Sequence, residues 1–244
     1  MPALEDEVVV VTGASRGLGR SMVERFAEEG ARVTLTARDE GRMERVAEDL
    51  PGESLVVPAD VRDADAVERV VERTVERFGH VDTLVNNAGV SILGMGDSRK
   101  RLVDVTESEW DTVLGVNLKG TFLFTRAVLP HMFERGRGNV VNVSSGLGRR
   151  AIAGAGAYVS SKWGLEGLTR VTALEGEGHG VNANALDPGG RVDTDIWAHL
   201  PDDERAEILP PDVMDDAAVL LAAQGPDGVT GESMTAEGWE GRLG

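Results

Sequence analysis

At 244 residues and 41% hydrophobic content, the chain is long enough for one large domain with a proper core. No stretch approaches the roughly 20 unbroken apolar residues that cross a bilayer. A formal charge of −17 argues against nucleic acid as a partner, since phosphate backbones need basic patches. The absence of cysteine excludes disulfides, a thiol nucleophile and a zinc–thiolate site.

The acidic start, Met1 to Glu7, has neither secretory nor organellar leader character, so a cytoplasmic location is expected. Of 25 basic residues only Lys100, Lys119 and Lys162 are lysines. An Arg-retaining, Asp/Glu-rich surface is the pattern of high-salt cytoplasms, where concentrated salt screens self-repulsion.

Glu7 to Thr12, a nearly continuous valine run, reads as a buried strand. A glycine-rich turn leads into a helix over Gly17 to Glu29 that Gly30 closes. The series continues with a strand over 31–36, a helix over 39–50, a strand over 54–59, a helix over 63–78 and a strand over 81–86. Further on, a helix covers 107–135 with a bend expected near Gly115 or Gly120, and a strand covers 139–144. A helix from Tyr158 to Glu175, a strand over 180–186, a helix over 211–223 and a short strand over 232–235 complete the chain. This alternation predicts one α/β domain spanning 1–244, a doubly wound parallel sheet of about seven strands with helices on both faces. Ligands of such sheets bind beyond the carboxyl ends of the strands, where the clusters below fall.

The first turn reads Thr12-Gly13-Ala14-Ser15-Arg16-Gly17-Leu18-Gly19. Glycines after a valine strand and before a helix let a pyrophosphate approach the helix N-terminus, where free N–H groups favour anions. Tyr158 is the only tyrosine, and Lys162 follows four residues later. On a helix the two share a face, and a neighbouring ammonium is expected to lower the phenol's pKa. The bland reading is a helical tyrosine with a lysine one turn away. Ser145 lacks the surroundings of a hydrolase elbow. The four histidines lack ligand spacing, so no metal site is expected.

Together, Thr12-Gly13-x-x-x-Gly17-x-Gly19, Asn86-Asn87-Ala88-Gly89, Asn117, Ser145 and Tyr158-x-x-x-Lys162 resemble the short-chain dehydrogenase/reductase family, in family order. Ser145 stands 13 residues before Tyr158, and Asn117 stands 28 before Ser145, as in many members. The layout most resembles the 3-oxoacyl-carrier-protein reductase-like members.

The resemblance implies a Rossmann-like fold and hydride transfer between a nicotinamide and a carbonyl or secondary alcohol. Tyr158 would be the general acid or base, and Lys162 would lower its pKa and hold the nicotinamide ribose. Ser145 would orient the substrate oxygen, and Asn117 would hold a water linking Lys162 to solvent. Cofactor contacts would come from Gly13, Ser15, Arg16, Gly17, Leu18 and Gly19, then from Asp60, Val61, Asn87, Ala88 and Gly89. Pro188, Gly189, Val192 and Thr194 would flank the nicotinamide, although Thr194 comes one residue late.

Arg16 and Arg38 resemble the NADP-preferring pattern, since a guanidinium fork suits a 2′-phosphate. Ala37 stands where NAD-preferring relatives carry an acid. Asp39 either reaches the ribose or caps the following helix, the latter role suiting its side chain; NADP(H) is expected, with NAD(H) as the alternative.

Substrate-side loops are expected around 90–105, 146–157 and 189–210. The basic stretch 94–101, the pair Arg149 and Arg150, and Trp197 and His199 either line the pocket or belong to surface and packing. The substrate is expected to be a small carbonyl or alcohol, the assembly a homo-oligomer (tetramer or dimer), and no membrane partner is expected. A sugar or polyol dehydrogenase of the same family is the nearer alternative. A non-catalytic NADP(H) sensor is the further one, though such relatives typically lack the tyrosine or lysine.

Overall fold

The computed structural model describes residues 2–92, 99–192 and 208–244. Seven parallel strands form one sheet in the order β3-β2-β1-β4-β5-β6-β7. They are β1 (Val8–Thr12), β2 (Arg32–Thr36), β3 (Ser54–Val56), β4 (Thr83–Asn86), β5 (Gly138–Val143), β6 (Val181–Asp187) and β7 (Ser233–Thr235). The order reverses between β1 and β4, which creates the crevice where such sheets bind ligands.

The helices are α1 (Gly17–Glu28), α2 (Glu40–Asp49), α3 (Ala64–Phe78), α4 (Glu107–Leu114), α5 (Thr121–Arg135), α6 (Gly156–Gly176), α7 (Asp215–Ala222) and α8 (Ala236–Leu243). Alternating strand side chains feed two cores. One holds Val9, Val11 and Val33 with Met22, Phe26, Met43, Leu221 and Trp239. The other holds Val10, Leu84 and Val140 with Val67, Val70, Phe124 and Val128. Burial on both sides explains why β1 reads as unbroken valine.

Two boundaries differ from the sequence expectation by three or more residues. The β3 ladder stops at Val56 instead of Ala59, although the Val57 and Ala59 N–H groups still reach β2 at 3.0 Å each. Pro58 between them has no N–H to give. Residues 211–214 form a turn, with Val213 and Asp215 bonded three residues back, so α7 starts only at Asp215. The long helix after Glu107 is broken by one π-helical turn, Gly115–Gly120, where the bend was expected. A Cβ on Gly120 would sit 2.7 Å from Val61 Cγ2, so only glycine lets this turn lie against the β3–α3 connection.

Helix α8 went unread. Thr235 caps it by accepting from Gly238 N at 3.2 Å, and the fully buried Trp239 donates from Nε1 to Ala185 O at 2.9 Å. Its signal was a Thr cap with Ala236, Trp239 and Leu243 at i, i+3 and i+7.

Candidate active site

Strand register brings the carboxyl ends of the central strands level: Thr12 pairs with Thr36, Asn86 with Asn142 and Val143 with Leu186. The loops that leave this edge hold the expected residues.

At the β1 end, Thr12 Oγ1 accepts the N–H groups of Asn87 and Ala88, both at 3.0 Å. Asn87 Nδ2 donates to Thr12 O at 2.9 Å. The glycine turn is thus tied to the β4 end. Gly13 has φ 69°, and a Cβ there would lie 2.9 Å from Asn87 Nδ2 and 3.0 Å from Ala88 Cα. A Cβ on Gly19 would collide with the same amide and with Gly13 O. Ser15 is half-buried and Arg16 exposed at the α1 N-terminus, and Leu18 packs its side chain into the core. The first N–H groups of α1 have no carbonyl inside their own helix. A bare backbone rim and a helix N-terminus form a cradle that fits a dinucleotide pyrophosphate.

Asp39 accepts from Arg42 N at 3.0 Å and caps α2, so of its two readings the structure shows the cap. Arg38 is exposed at the β2 end. Asp60 is engaged by Arg62, from its backbone N at 2.9 Å and from Nη2 at 2.6 Å. This ion pair, followed by the Arg62 backbone and the Arg38 charge, holds the Asp60 carboxyl below the usual range against its partial burial. Val61 beside it is buried. Arg38 and Asp60 therefore share one end of the crevice.

The π turn aims the buried Asn117 back at the β4 loop. Its Oδ1 accepts from Val90 N at 2.8 Å, and its Nδ2 donates to Val90 O at 2.9 Å and Ser161 Oγ at 3.0 Å. A π turn at such a place is frequent at functional sites. Lys162 is buried and donates to Val143 O at 2.7 Å. Its Nζ lies 5.7 Å from the Tyr158 ring centroid, so the two do share a face of α6. Gly89 is exposed, with Asn117 Oδ1 and Lys162 Nζ just below it. Ser145, half-buried after β5, accepts from Leu147 N at 3.2 Å and hydrogen-bonds the Tyr158 hydroxyl.

The protein groups around Tyr158 do not by themselves supply the expected acidification. Burial pushes the phenol above its ordinary value and the Asp187 charge adds to this, while the Ser145 hydrogen bond pulls it down. The lysine's bond to Val143 O directs its ammonium at the backbone. Burial likewise pulls Lys162 down to about 8, against Glu166 and Asp187, which hold it up.

On the substrate side, Pro188 is half-buried, Gly189 N donates to Asp187 Oδ1 at 3.0 Å, and the buried Val192 bridges to Leu209. Thr194, Trp197 and His199 lie outside the described residues. Of the basic stretch 94–101, residues 94–98 also lie outside them; Lys100 pairs with Glu109, and Arg101 with Asp104 at 2.8 Å. Arg149 and Arg150 are exposed, as a solvated loop would have them, but Arg149 is paired with Asp187 and Glu166. Glu166 and Asp187 were missed as site residues. The signal for Glu166 was its spacing, four residues beyond Lys162 on the same helix face; Asp187 had none.

The family model described as short chain dehydrogenase matches residues 7–205. The chain belongs to that family, and it is an oxidoreductase of CH–OH and C=O groups, not a non-catalytic nucleotide binder. A 3-oxoacyl-[acyl-carrier-protein] reductase, FabG, from Thermotoga maritima is 34% identical, covering 96% of this chain and 98% of its own. A subunit, BbsD, of (2S)-[(R)-hydroxy(phenyl)methyl]succinyl-CoA dehydrogenase from Thauera aromatica is 35% identical over 84% of this chain and 81% of its own. The crystal structure of a metagenomic short-chain oxidoreductase in complex with NADP superposes with a TM-score of 0.82 at 33% identity, covering 96% and 97% of the two chains.

Proposed function

We propose that this protein is an NADP(H)-dependent reductase of a 3-oxoacyl thioester or related ketone, running in reverse as a secondary-alcohol dehydrogenase. The observation that carries the reading is the meeting of Tyr158, Ser145, Lys162 and Asn117 at the carboxyl edge of β4, β5 and β6. The FabG relatives support the substrate class, and the NADP complex supports the cofactor. Arg38 and Arg16 would hold the 2′-phosphate, since Asp39, the acid nearest the β2 end, is spent on capping α2. The glycine turn would hold the pyrophosphate, with Asp60 and Val61 beside the adenine, and Ala88, Gly89, Pro188 and Gly189 beside the nicotinamide.

The bound nicotinamide supplies or accepts the hydride. As a substrate carbonyl oxygen gains charge, the Tyr158 hydroxyl gives it a proton and Ser145 Oγ holds it in place. Lys162 keeps two N–H groups beyond the one on Val143 O, enough for the ribose hydroxyls and for a proton path past Asn117.

A homo-oligomer is supported by apolar side chains left exposed on α6, Trp163 at 53%, Val171 at 49% and Leu174 at 67%. Among the described residues no helix is long and apolar enough to cross a membrane. A chain with no cysteine needs no oxidising compartment, which supports a cytoplasmic location. The deciding experiment follows NADPH and NADH oxidation with 3-oxoacyl thioesters, simple ketones and ketoses. Turnover of 3-oxoacyl thioesters with NADPH is expected; turnover confined to sugars or to NADH overturns the reading.

A further inference from the structure

Behind Ser145 lies a charged cluster drawn from four elements. Arg149 follows a short 3₁₀ turn, Gly146–Gly148, that the Ser145 side chain caps. Its Nη2 donates to Asp187 Oδ2 at the end of β6, at 2.6 Å. Its Nη1 donates to Ser233 Oγ of β7 at 2.6 Å and stands 3.4 Å from Glu166 Oε1 of α6. Glu166 Oε1 also accepts from Ser144 Oγ at 2.5 Å and Ser233 Oγ at 2.9 Å. Glu166 and Asp187 are only 5% and 3% exposed. Two carboxylates that deep would be costly without a cation, and the guanidinium serves both.

The placement matters for chemistry as well as folding. One arginine joins the strand end that leads to Pro188, the helix that carries Tyr158 and Lys162, and the turn that begins at Ser145. Counted as charges, Arg149 and Lys162 balance Glu166 and Asp187. Resting on the reading of Tyr158 and Lys162 given above, we propose that Arg149, Glu166 and Asp187 are positioning residues that set the charge balance against which the tyrosine and lysine ionise.

Both acids favour the Lys162 ammonium, and Asp187 opposes a Tyr158 phenolate. Arg149 offsets that opposition by holding Asp187. Among the described residues, Lys162 of its own helix lies by the phenol ring and Asp187 of β6 acts on it, with Arg149 and Glu166 behind Asp187. On the α4 side Glu109 is paired with Lys100.

Tyr158 is the only tyrosine, so ultraviolet pH titration of the folded protein reads its ionisation without any assay of turnover. Asp187→Asn keeps an acceptor for Gly189 N and should lower the phenolate step by about one pH unit. Arg149→Met should raise it by a similar amount, Arg149→Lys should fall between, and Arg149→Met/Asp187→Asn should return it toward the wild-type value. The acid-side limb of the kcat–pH profile for alcohol oxidation, where the rate rises as the phenolate forms, should move in the same order. A purely structural role predicts that the double variant is no better than Arg149→Met. The proposal is overturned if Asp187→Asn leaves the step in place, or if the double variant keeps the displacement of Arg149→Met. Should Arg149→Met fail to fold, Asp187→Asn and Arg149→Lys still decide. Failure of the underlying reading is seen separately, as retained turnover in Tyr158→Phe.

Discussion

Tyr158 shows how opposing pulls meet on one side chain. Burial disfavours its phenolate, the Ser145 hydrogen bond favours it, and Asp187 disfavours it again. A phenol kept protonated suits an acid that must give its proton to a substrate oxygen during reduction. Tyr158→Phe removes that proton and leaves the glycine cradle untouched. NADPH affinity, read by fluorescence titration, should persist, while kcat should fall by about 10²- to 10⁴-fold; near-normal turnover would remove Tyr158 from the mechanism.

Asp215 is a second buried acid, away from the chemistry. It is 8% exposed and accepts from Ser21 Oγ at 2.7 Å. Burial first, then the Asp212 and Asp216 charges, raise it from 3.8 to about 7 against Ser21 and Arg25. The folded chain thus holds this proton more tightly than the unfolded chain. The contribution is whole below about 3.8 and is lost as pH climbs through about 7. Asp215→Asn, which still accepts from Ser21, should flatten that decline and add about 1–3 kcal/mol at pH 8. Urea unfolding at pH 5 and pH 8 checks this, and an equal effect at both would contradict it.

At the scale of elements, the glycine turn and the π turn define the site. The turn that joins β1 to α1 is pinned by the Asn87 amide, so it cannot open without disturbing the β4 loop. Gly19→Ala places a methyl on that amide and on Gly13 O. Overpacking of this kind should cost about 1–3 kcal/mol in stability and weaken NADPH binding by at least about tenfold. Unchanged cofactor affinity in a calorimetric titration would show that the cradle lies elsewhere.

Much of this scale was legible beforehand. Continuous valines marked β1, Gly30 marked the end of α1, and Tyr158 and Lys162 carried their own spacing. Helix α8 escaped because two of its eight residues, Gly238 and Gly241, are glycines that lower its propensity. Burial of Trp239 overrides that weakness. Residues 211–214 were expected to be helical, yet Val213 N bonds to Pro210 O and Asp215 N to Asp212 O in turns.

For the whole molecule, charge and exposed apolar surface lead to two expectations. With a formal charge of −17, self-repulsion should destabilise the fold in dilute salt and be screened in molar potassium chloride. Thermal unfolding is expected at a clearly higher temperature in the concentrated salt, and equal midpoints would end the idea of salt adaptation. The same screening should favour association through α6. Light scattering should report an oligomer for the native chain and a smaller species for Leu174→Asp. A native monomer at micromolar concentration would rule this face out as an interface.

Features written within one element, or across one tight turn, were open to reading from the chain itself: the strand–helix alternation, the phosphate-binding glycines, and a tyrosine with its lysine one helical turn away. Covalent spacing alone puts those groups together. The partners of Arg149, and the Asp187 charge that acts on Tyr158, came only with the three-dimensional arrangement. Ser145, Arg149, Glu166, Asp187 and Ser233 come from four segments that meet because β5, β6 and β7 pair in register. Desolvation depends on how completely they close over one another, and local spacing does not encode that.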